Sequence, residues 1–151
     1  MSPYRTYLDM FAAMMEGIKE ESWSLEREIA LVRAVFSLHS IRDPERFHVT
    51  WNLPDPLPRV RVPSMVLLPL AENAMKHGPF AGHRGEVRLS VALREGNLHV
   101  SIRNPGTYKG PRKGGEGLQI VEKRLRLSYP EGSQFSITPA ADDTMATLAT
   151  L

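Results

Sequence analysis

A nine-residue segment, residues 70–78, brings together side chains that suit metal and phosphate binding. It reads Leu-Ala-Glu-Asn-Ala-Met-Lys-His-Gly. On a helix, Asn73, Lys76 and His77 lie three and four residues apart and can reach the same side. An amide oxygen can complete an octahedral shell around Mg²⁺, and a lysine ammonium can meet a phosphate as a point charge. A solvated helix end explains these residues about equally well, so the segment alone decides little.

A second candidate segment, residues 102–106, reads Ile-Arg-Asn-Pro-Gly and follows a predicted strand. The amide oxygen of Asn104 could accept a hydrogen bond from a base edge, and the bare backbone of Gly106 would let a flat ring approach. Asn-Pro-Gly is also typical of an ordinary turn, which is favoured about three to one when the motif stands alone. The interpretation as a site therefore depends on the other segments.

The third candidate segment, residues 114–121, is rich in glycine and leads into a predicted helix. It reads Gly-Gly-Glu-Gly-Leu-Gln-Ile-Val. Glycines allow the backbone to approach a phosphate, and the free N–H groups of a first helical turn bind anions. A flexible loop before a helix explains about half of such patterns. The segment is not a Walker loop, because no Gly-Lys-Ser/Thr follows, and no Rossmann strand-to-glycine turn immediately precedes it.

Hydrophobic spacing predicts the elements that must position these segments. Apolar residues three and four apart predict a helix over about residues 4–20 and a second helix, capped by Ser22 or Ser24, that ends near Arg42. The later part of the chain carries further signals for helices and strands. They predict a strand at 47–53, a helix from 63–64 to about 77, a hairpin of strands at 87–93 and 98–102, a flexible loop at 104–115, a helix from about 117, and strands at 135–138 and 144–151. This order predicts an α+β two-layer sandwich preceded by N-terminal helices.

Composition narrows the function classes. A chain of 151 residues with net charge +2 fits one domain and gives no strong field for nucleic-acid binding. The chain has no cysteine and therefore no disulfide, and this composition is compatible with a reducing compartment. The longest apolar stretch, residues 62–71, contains two prolines and is shorter than a membrane span of about 20 residues. The N-terminus does not have the pattern of a signal peptide, so we expect a cytoplasmic location and no direct membrane contact from this segment.

Taken in this order and spacing, the three segments resemble the N, G1 and G2 boxes of the GHKL ATPase superfamily, which includes gyrase, heat-shock chaperones, histidine kinases and MutL. Residues 62–78 and 115–125 more closely resemble the LytS-like sensor histidine kinases. The resemblance extends back through residues 24–29 and onward to Tyr129, and so covers most of the chain after about Ser22. It implies the Bergerat type of two-layer α/β sandwich, and ATP and Mg²⁺ as ligands.

The resemblance also implies residue roles. Asn73 would coordinate the Mg²⁺ of Mg-ATP, and Lys76 and His77 would approach the phosphates. Asn104 stands where the superfamily usually has an aspartate that contacts the adenine amino group; its oxygen still accepts a hydrogen bond, without the charge. The remaining positions would line the nucleotide pocket or cover it: Gly106, Gly115, Gly117 and Leu118 in the pocket, and residues 107–114, including Lys113 in place of a family glycine, as a lid.

Two departures from the superfamily limit what the chain is expected to do. Pro69 occupies the position of the water-activating glutamate found in gyrase-like ATPases, so intrinsic ATP hydrolysis should be feeble. The acceptor motif Pro-His-Phe-Leu-Phe-Asn is also absent, and none of the five histidines stands in that context: His39, His48, His77, His83 and His99. The phosphorylated histidine is therefore expected outside this chain.

The main hypothesis is the ATP-binding catalytic domain of a two-component sensor histidine kinase. Residues 1–42 would form an N-terminal helical segment that links to the acceptor region, and residues 43–151 would form the ATP-binding domain. The expected partners are that acceptor segment, a response regulator and a second copy bound through the N-terminal helices, in the cytoplasmic portion of a membrane sensor.

Two alternatives differ in class. The first is a non-catalytic binding module with a degenerate ATP site, associating through apolar helix faces that include Phe11, Met14 and Met15. Phe36 could belong to such a face, although core packing is the simpler interpretation. The second is a metal-dependent hydrolase at His77 and His83, whose spacing matches no ligand pattern.

Overall fold

The computed structural model describes residues 22–42, 45, 48–106, 116–130, 132–141 and 143–150. The predicted helix over residues 4–20, the predicted lid and Gly115 lie outside the described residues. The elements in chain order are β1 (Ser22–Ser24), α1 (Leu25–Arg42), β2 (His48–Asn52), β3 (Arg61–Pro63), α2 (Leu68–His77), a 3-10 turn (Pro79–Ala81), β4 (Glu86–Arg94), β5 (Asn97–Pro105), α3 (Glu116–Ser128), β6 (Ser133–Ala140) and β7 (Asp143–Thr150).

The main sheet has five strands in the order β2-β4-β5-β7-β6. Strand β2 runs parallel to β4, and the other neighbours are antiparallel. A separate antiparallel pair joins β1 to β3. The predicted α+β architecture is confirmed, because three of the four strand pairings in the main sheet are antiparallel and helices share its core. None of the described helices combines the length and the apolar character needed to cross a membrane.

Alternation along the central strands fixes which face of the sheet meets the helices. Buried residues alternate along β4 from Val87 to Val91 and along β5 from Leu98 to Asn104. The central hairpin contributes to the core Val87, Leu89, Val91, Leu98, Val100 and Ile102. Helix α1 adds Ile29, Val32 and Phe36 to the same core. The ring of Phe36 packs against Trp51 at 5.7 Å between centroids. Core packing of Phe36 is therefore confirmed, and α1 shares its core with the sheet.

The start of α2 corrects the sequence-based prediction. The helix begins at Leu68, not at Pro63 and Ser64. Residues 61–63 instead pair with residues 22–24 as strands. Met65 then adopts φ 60°, a left-handed conformation that a right-handed helix cannot contain. The proline and serine that suggest a helix start lie in a strand and a turn, and Pro69 occupies the first helical turn.

Of the two residues predicted to cap α1, Ser24 is confirmed and Ser22 is not. The hydroxyl oxygen of Ser24 accepts a hydrogen bond from the N–H of Arg27 at 3.2 Å, which is the geometry of a side-chain cap. Ser22 belongs to strand β1 and does not cap the helix. The Ser24 cap satisfies one of the N–H groups that a helix start leaves without an intrahelical partner.

Candidate functional site

Helix α2 presents the first candidate segment at the edge of the core. Its apolar side holds Ala71, Ala74 and Met75 in buried positions, which fixes the rotation of the helix. Asn73 is half-buried, as is His77, and Lys76 is exposed. The polar side chains of α2 therefore lie away from its buried side, and contacts with the core set the rotation of the helix.

Glu72, beside Asn73, belongs to the exposed residues, although partial desolvation raises the pKa of its carboxyl group. No carboxylate stands four residues before Asn73, where Pro69 is found. We assign Glu72 no role in chemistry.

The end of α2 meets the end of β5, which brings the first and second candidate segments together. A Cβ added at Gly78 would lie 3.1 Å from Asn104 Cβ and 2.7 Å from the Ala74 carbonyl oxygen. Such distances are shorter than the ordinary van der Waals separation between carbon atoms. Gly78 therefore permits an approach of α2 to Asn104 that a larger residue would prevent.

Gly106 makes a second close approach at the same place. Its φ is +106°, which favours glycine, and an added Cβ would lie 2.7 Å from Cδ2 of His83 and 3.1 Å from the His77 carbonyl oxygen. The backbone after β5 thus lies directly against the last residue of α2. The sequence separates these segments by almost 30 residues, and the fold joins them.

Asn104 is oriented by its own surroundings. The residue is 3% exposed, and its Nδ2 donates a hydrogen bond of 2.8 Å to the Pro105 carbonyl oxygen. With the nitrogen engaged as a donor, Oδ1 is the atom of the amide that can accept a hydrogen bond. The side chain therefore presents an oxygen that can accept a hydrogen bond from a donor group.

Thr144 completes this end of the sheet and is absent from the sequence-based site. It is buried opposite Asn104 in the β5–β7 ladder, and its hydroxyl donates a 2.7 Å hydrogen bond to the Gly106 carbonyl oxygen. The bond fixes the backbone at the point where the chain leaves β5. A threonine in a strand gives no local signal of this contact, which becomes visible only once β5 and β7 are paired.

Helix α3 carries the described part of the third candidate segment, residues 116–121. It begins at Glu116, so Gly117 and Leu118 lie in its first turn, where backbone N–H groups have no intrahelical partner. The helix packs against α2. Farther along, the guanidinium of Arg124 donates a hydrogen bond to the Ser64 carbonyl oxygen, just before α2.

Glu28, in the first turn of α1, is a buried carboxylate outside the three candidate segments. It is fully buried, and its oxygens accept hydrogen bonds from the backbone N–H groups of Met65 at 3.0 Å and Leu67 at 2.6 Å, and from the indole of Trp23. Burial raises the pKa of the Glu28 carboxyl, and the donors from Leu67, Trp23 and Met65 oppose that rise. Its position between Leu25 and Ile29 in the apolar stripe is the signal that could have revealed it.

Metal-ligating side chains do not cluster in the described part of the chain. Within those residues, no three histidine, aspartate, glutamate or cysteine side chains are placed to hold an ion. His83 lies beside the backbone of Gly106. The arrangement gives no support to the metal-dependent hydrolase at His77 and His83.

Comparison with known sequences identifies relatives among the sensor kinases. No family model matches the chain. The chain is 36% identical over 93 residues to the sensor histidine kinase/phosphatase LytS of Staphylococcus aureus strain MRSA252, a match that covers 61% of this chain and 16% of LytS. LytS of strain N315 matches with the same identity and coverage. The chain thus spans about a sixth of the length of these relatives.

Solved structures give the same answer for the fold. The catalytic domain of the histidine kinase ThkA aligns with a TM-score of 0.69 at 16% identity, over 85% of this chain and 95% of that one. The histidine kinase AdeS of Acinetobacter baumannii aligns with a TM-score of 0.66 at 14% identity, over 95% and 75%. Full-length ShkA in complex with AMPPNP aligns with a TM-score of 0.62 at 20% identity, over 85% and 30%. The expected resemblance is therefore confirmed: the chain is a homologue of LytS over the matched residues and has the fold of a histidine kinase catalytic domain.

Proposed function

We propose that this chain is the Mg-ATP-binding catalytic domain of a two-component sensor histidine kinase, and that it transfers the γ-phosphate of ATP to a histidine outside the chain. The observation that carries the proposal is the junction of α2 with the end of β5. There Gly78 lies against Asn104, and Gly106 lies against the His77 carbonyl. This close approach supports the proposal that the amide that would bind the base and the helix that would face the phosphates belong to one site.

Asn104 would hold the adenine. Its Oδ1 accepts a hydrogen bond from the amino group of the base, while Nδ2 stays bound to the Pro105 carbonyl oxygen. Gly106 leaves room for the flat ring, and the Thr144 hydroxyl keeps its carbonyl in place. The neutral amide gives a weaker hydrogen bond than a carboxylate would, because it lacks the charge.

The phosphates would lie toward α2 and the start of α3. Asn73 offers an amide oxygen to Mg²⁺, while Lys76 and His77 contact phosphate oxygens. Gly115, Gly117 and Leu118 would offer close backbone approach and N–H donors, as glycine-rich helix starts do. Bound Mg²⁺ would neutralise charge on the phosphates. The half-buried amide on a helix fixed by its core contacts is chemically suited to that ion.

The chain's own residues would contribute position and charge neutralisation, not covalent chemistry. Pro69 provides no general base, so water is a poor acceptor and the histidine of the acceptor segment receives the phosphoryl group. Residues 1–42 would lead to that segment, and α1 within them packs on the domain formed by residues 43–151. The further partners are a response regulator and a second copy, in the cytoplasmic part of a sensor.

Binding and transfer are tested on the same protein. We expect Mg-ATP to raise the thermal stability of the chain, since a ligand at 100 times its Kd adds about 2.7 kcal/mol. With γ-labelled ATP, the isolated chain should acquire no acid-labile label. Addition of the acceptor segment of its parent protein should give label on that segment. Binding without transfer would favour the non-catalytic module, and label on one of the chain's own histidines would contradict the assignment.

Thr144→Val is expected to weaken Mg-ATP binding about threefold to tenfold and to lower the free energy of unfolding by about 1 kcal/mol. Valine keeps the shape of the side chain and removes the hydrogen bond to the Gly106 carbonyl. Titration calorimetry and urea unfolding measure the two effects. Thr147→Val, the same change in a half-buried position of β7, is the control. Equal ATP affinities in the two variants would remove Thr144 from the site.

A further inference from the structure

The Glu28 carboxylate connects α1 to the turn that precedes α2, the helix that carries Asn73. The turn comprises residues 64–67, and we call it the pre-helix turn. One carboxylate oxygen of Glu28 accepts the N–H of Leu67, and the other accepts the N–H of Met65. Helix α2 begins at the next residue, Leu68. The carboxylate therefore acts at the point that sets where α2 starts.

The pre-helix turn is a conformation that needs an external partner. Met65 has φ 60°, a left-handed conformation that is unfavourable for a side chain with a Cβ. Its N–H points to the Glu28 carboxylate, which accepts it at 3.0 Å. Hydrogen bonds to a charged acceptor are stronger than those between neutral groups. The hydrogen bonds that Glu28 accepts offset the cost of the left-handed Met65 backbone.

The pre-helix turn is also held from its other side. Arg124 of α3 donates to the Ser64 carbonyl oxygen. Helix α3 carries Gly117 and Leu118 in its first turn, whereas α2 carries Asn73. The pre-helix turn thus joins α1 to α2 and α3, the two helices that carry the residues proposed to face the phosphates.

We propose that Glu28 is a positioning residue for Mg-ATP binding: by fixing the pre-helix turn, it sets the position of Asn73 relative to α3. The inference rests on the proposed nucleotide site, and it makes the packing of α1 a determinant of nucleotide affinity. Helix α1 follows residues that would lead to the acceptor segment. A displacement of α1 that moves Glu28 would therefore lower the affinity for Mg-ATP.

Glutamine is the decisive replacement because every partner of Glu28 is a donor. The carboxylate presents two acceptor oxygens to the Met65, Leu67 and Trp23 N–H groups. A glutamine amide has one oxygen and one NH₂, so one side must face a donor with a donor. Glu28→Gln keeps the size of the side chain and removes its ability to hold both ends of the turn.

The experiment compares Glu28→Gln with Glu26→Gln, the same change at an exposed position two residues earlier on α1. Titration calorimetry at a temperature where circular dichroism shows both variants folded gives the Kd for Mg-ATP. We expect an increase of about tenfold for Glu28→Gln, the size of effect that follows from losing one strong hydrogen bond. For Glu26→Gln we expect no change. Equal affinities in the two folded variants would overturn the proposal.

Two further measurements separate positioning from stability. Trp23→Phe removes a donor to Glu28 without touching the pre-helix turn, so it should lower the unfolding temperature and leave the Kd unchanged. If Glu28→Gln does not fold, Arg124→Met, which releases the turn from the α3 side, should raise the Kd about tenfold. A normal Kd in folded Arg124→Met, or a Trp23→Phe Kd raised as much as that of the turn variants, would contradict the proposal.

Hydrogen exchange of the amides in residues 65–77 decides the inference independently of ATP. Glu28→Gln, or Arg124→Met in its place, should exchange faster across this range than Glu26→Gln in nucleotide-free protein. Unchanged protection would overturn the positioning role even if the wild-type chain binds Mg-ATP. Absence of Mg-ATP binding by the wild type, with the exchange difference present, would remove the proposed function and leave the control of α2 by Glu28 standing.

Discussion

Replacing Asn73 by alanine is expected to reduce the affinity for Mg-ATP about a hundredfold, which corresponds to about 2.8 kcal/mol. The side chain is half-buried on α2, and its amide oxygen is the atom proposed to complete the Mg²⁺ shell. Alanine removes that oxygen and retains the helix, since alanine has the highest helix propensity. The loss should therefore concern binding much more than folding.

The dependence on Mg²⁺ makes the Asn73 test specific. Titration calorimetry with ATP is performed once with Mg²⁺ and once with a chelator, for wild type, Asn73→Ala and Asn52→Ala. Asn52 is exposed at the end of edge strand β2 and provides the same truncation away from the α2–β5 junction. We expect the Asn73 effect to shrink when Mg²⁺ is removed. A wild-type Kd for Asn73→Ala in the presence of Mg²⁺ would exclude the assigned role.

The elements that sequence predicts well are those whose signals are local. Strands β4 and β5 alternate apolar and polar residues, and the structure contains that hairpin. Its turn is Glu95-Gly96, one residue earlier than the Gly-Asn pair that suggests it, since Asn97 already pairs with Arg94. The predicted start of α2 is wrong because it depends on a contact that is distant in sequence. Residues 61–63 become a strand only because residues 22–24 pair with them, and the paired residues are 37 to 41 positions apart in the chain. No local pattern contains that information.

The candidate site divides in the same way. Asn73 and Asn104 belong to motifs that are contiguous in sequence, so their types and spacing suggest their chemistry. Thr144 and Glu28 instead make hydrogen bonds to backbone groups that are distant in sequence, one for Thr144 and two for Glu28. A threonine in a strand and a glutamate in a first helical turn are common for other reasons. Their roles emerge when the sheet and the pre-helix turn are formed.

Gly78→Ala is expected to weaken Mg-ATP binding by at least about tenfold and to lower the free energy of unfolding by about 1–3 kcal/mol. The Gly78 N–H donates to the Ala74 carbonyl oxygen at 3.0 Å, and a Cβ would lie 2.7 Å from that same oxygen. Because the obstructing atom belongs to the helix backbone, no side-chain rotation relieves the clash. The last turn of α2 must open, which displaces it from Asn104.

Gly82→Ala separates this displacement from the general cost of replacing a glycine. Gly82 ends the 3-10 turn four residues later with φ +89°, and an added Cβ would meet no atom within 4 Å. Alanine there bears the left-handed strain of about 1–2 kcal/mol but leaves the junction unchanged. We therefore expect calorimetry and urea unfolding to show lost stability in both variants and lost ATP affinity only in Gly78→Ala. Equal affinities would mean that the approach of α2 to Asn104 does not form the nucleotide site.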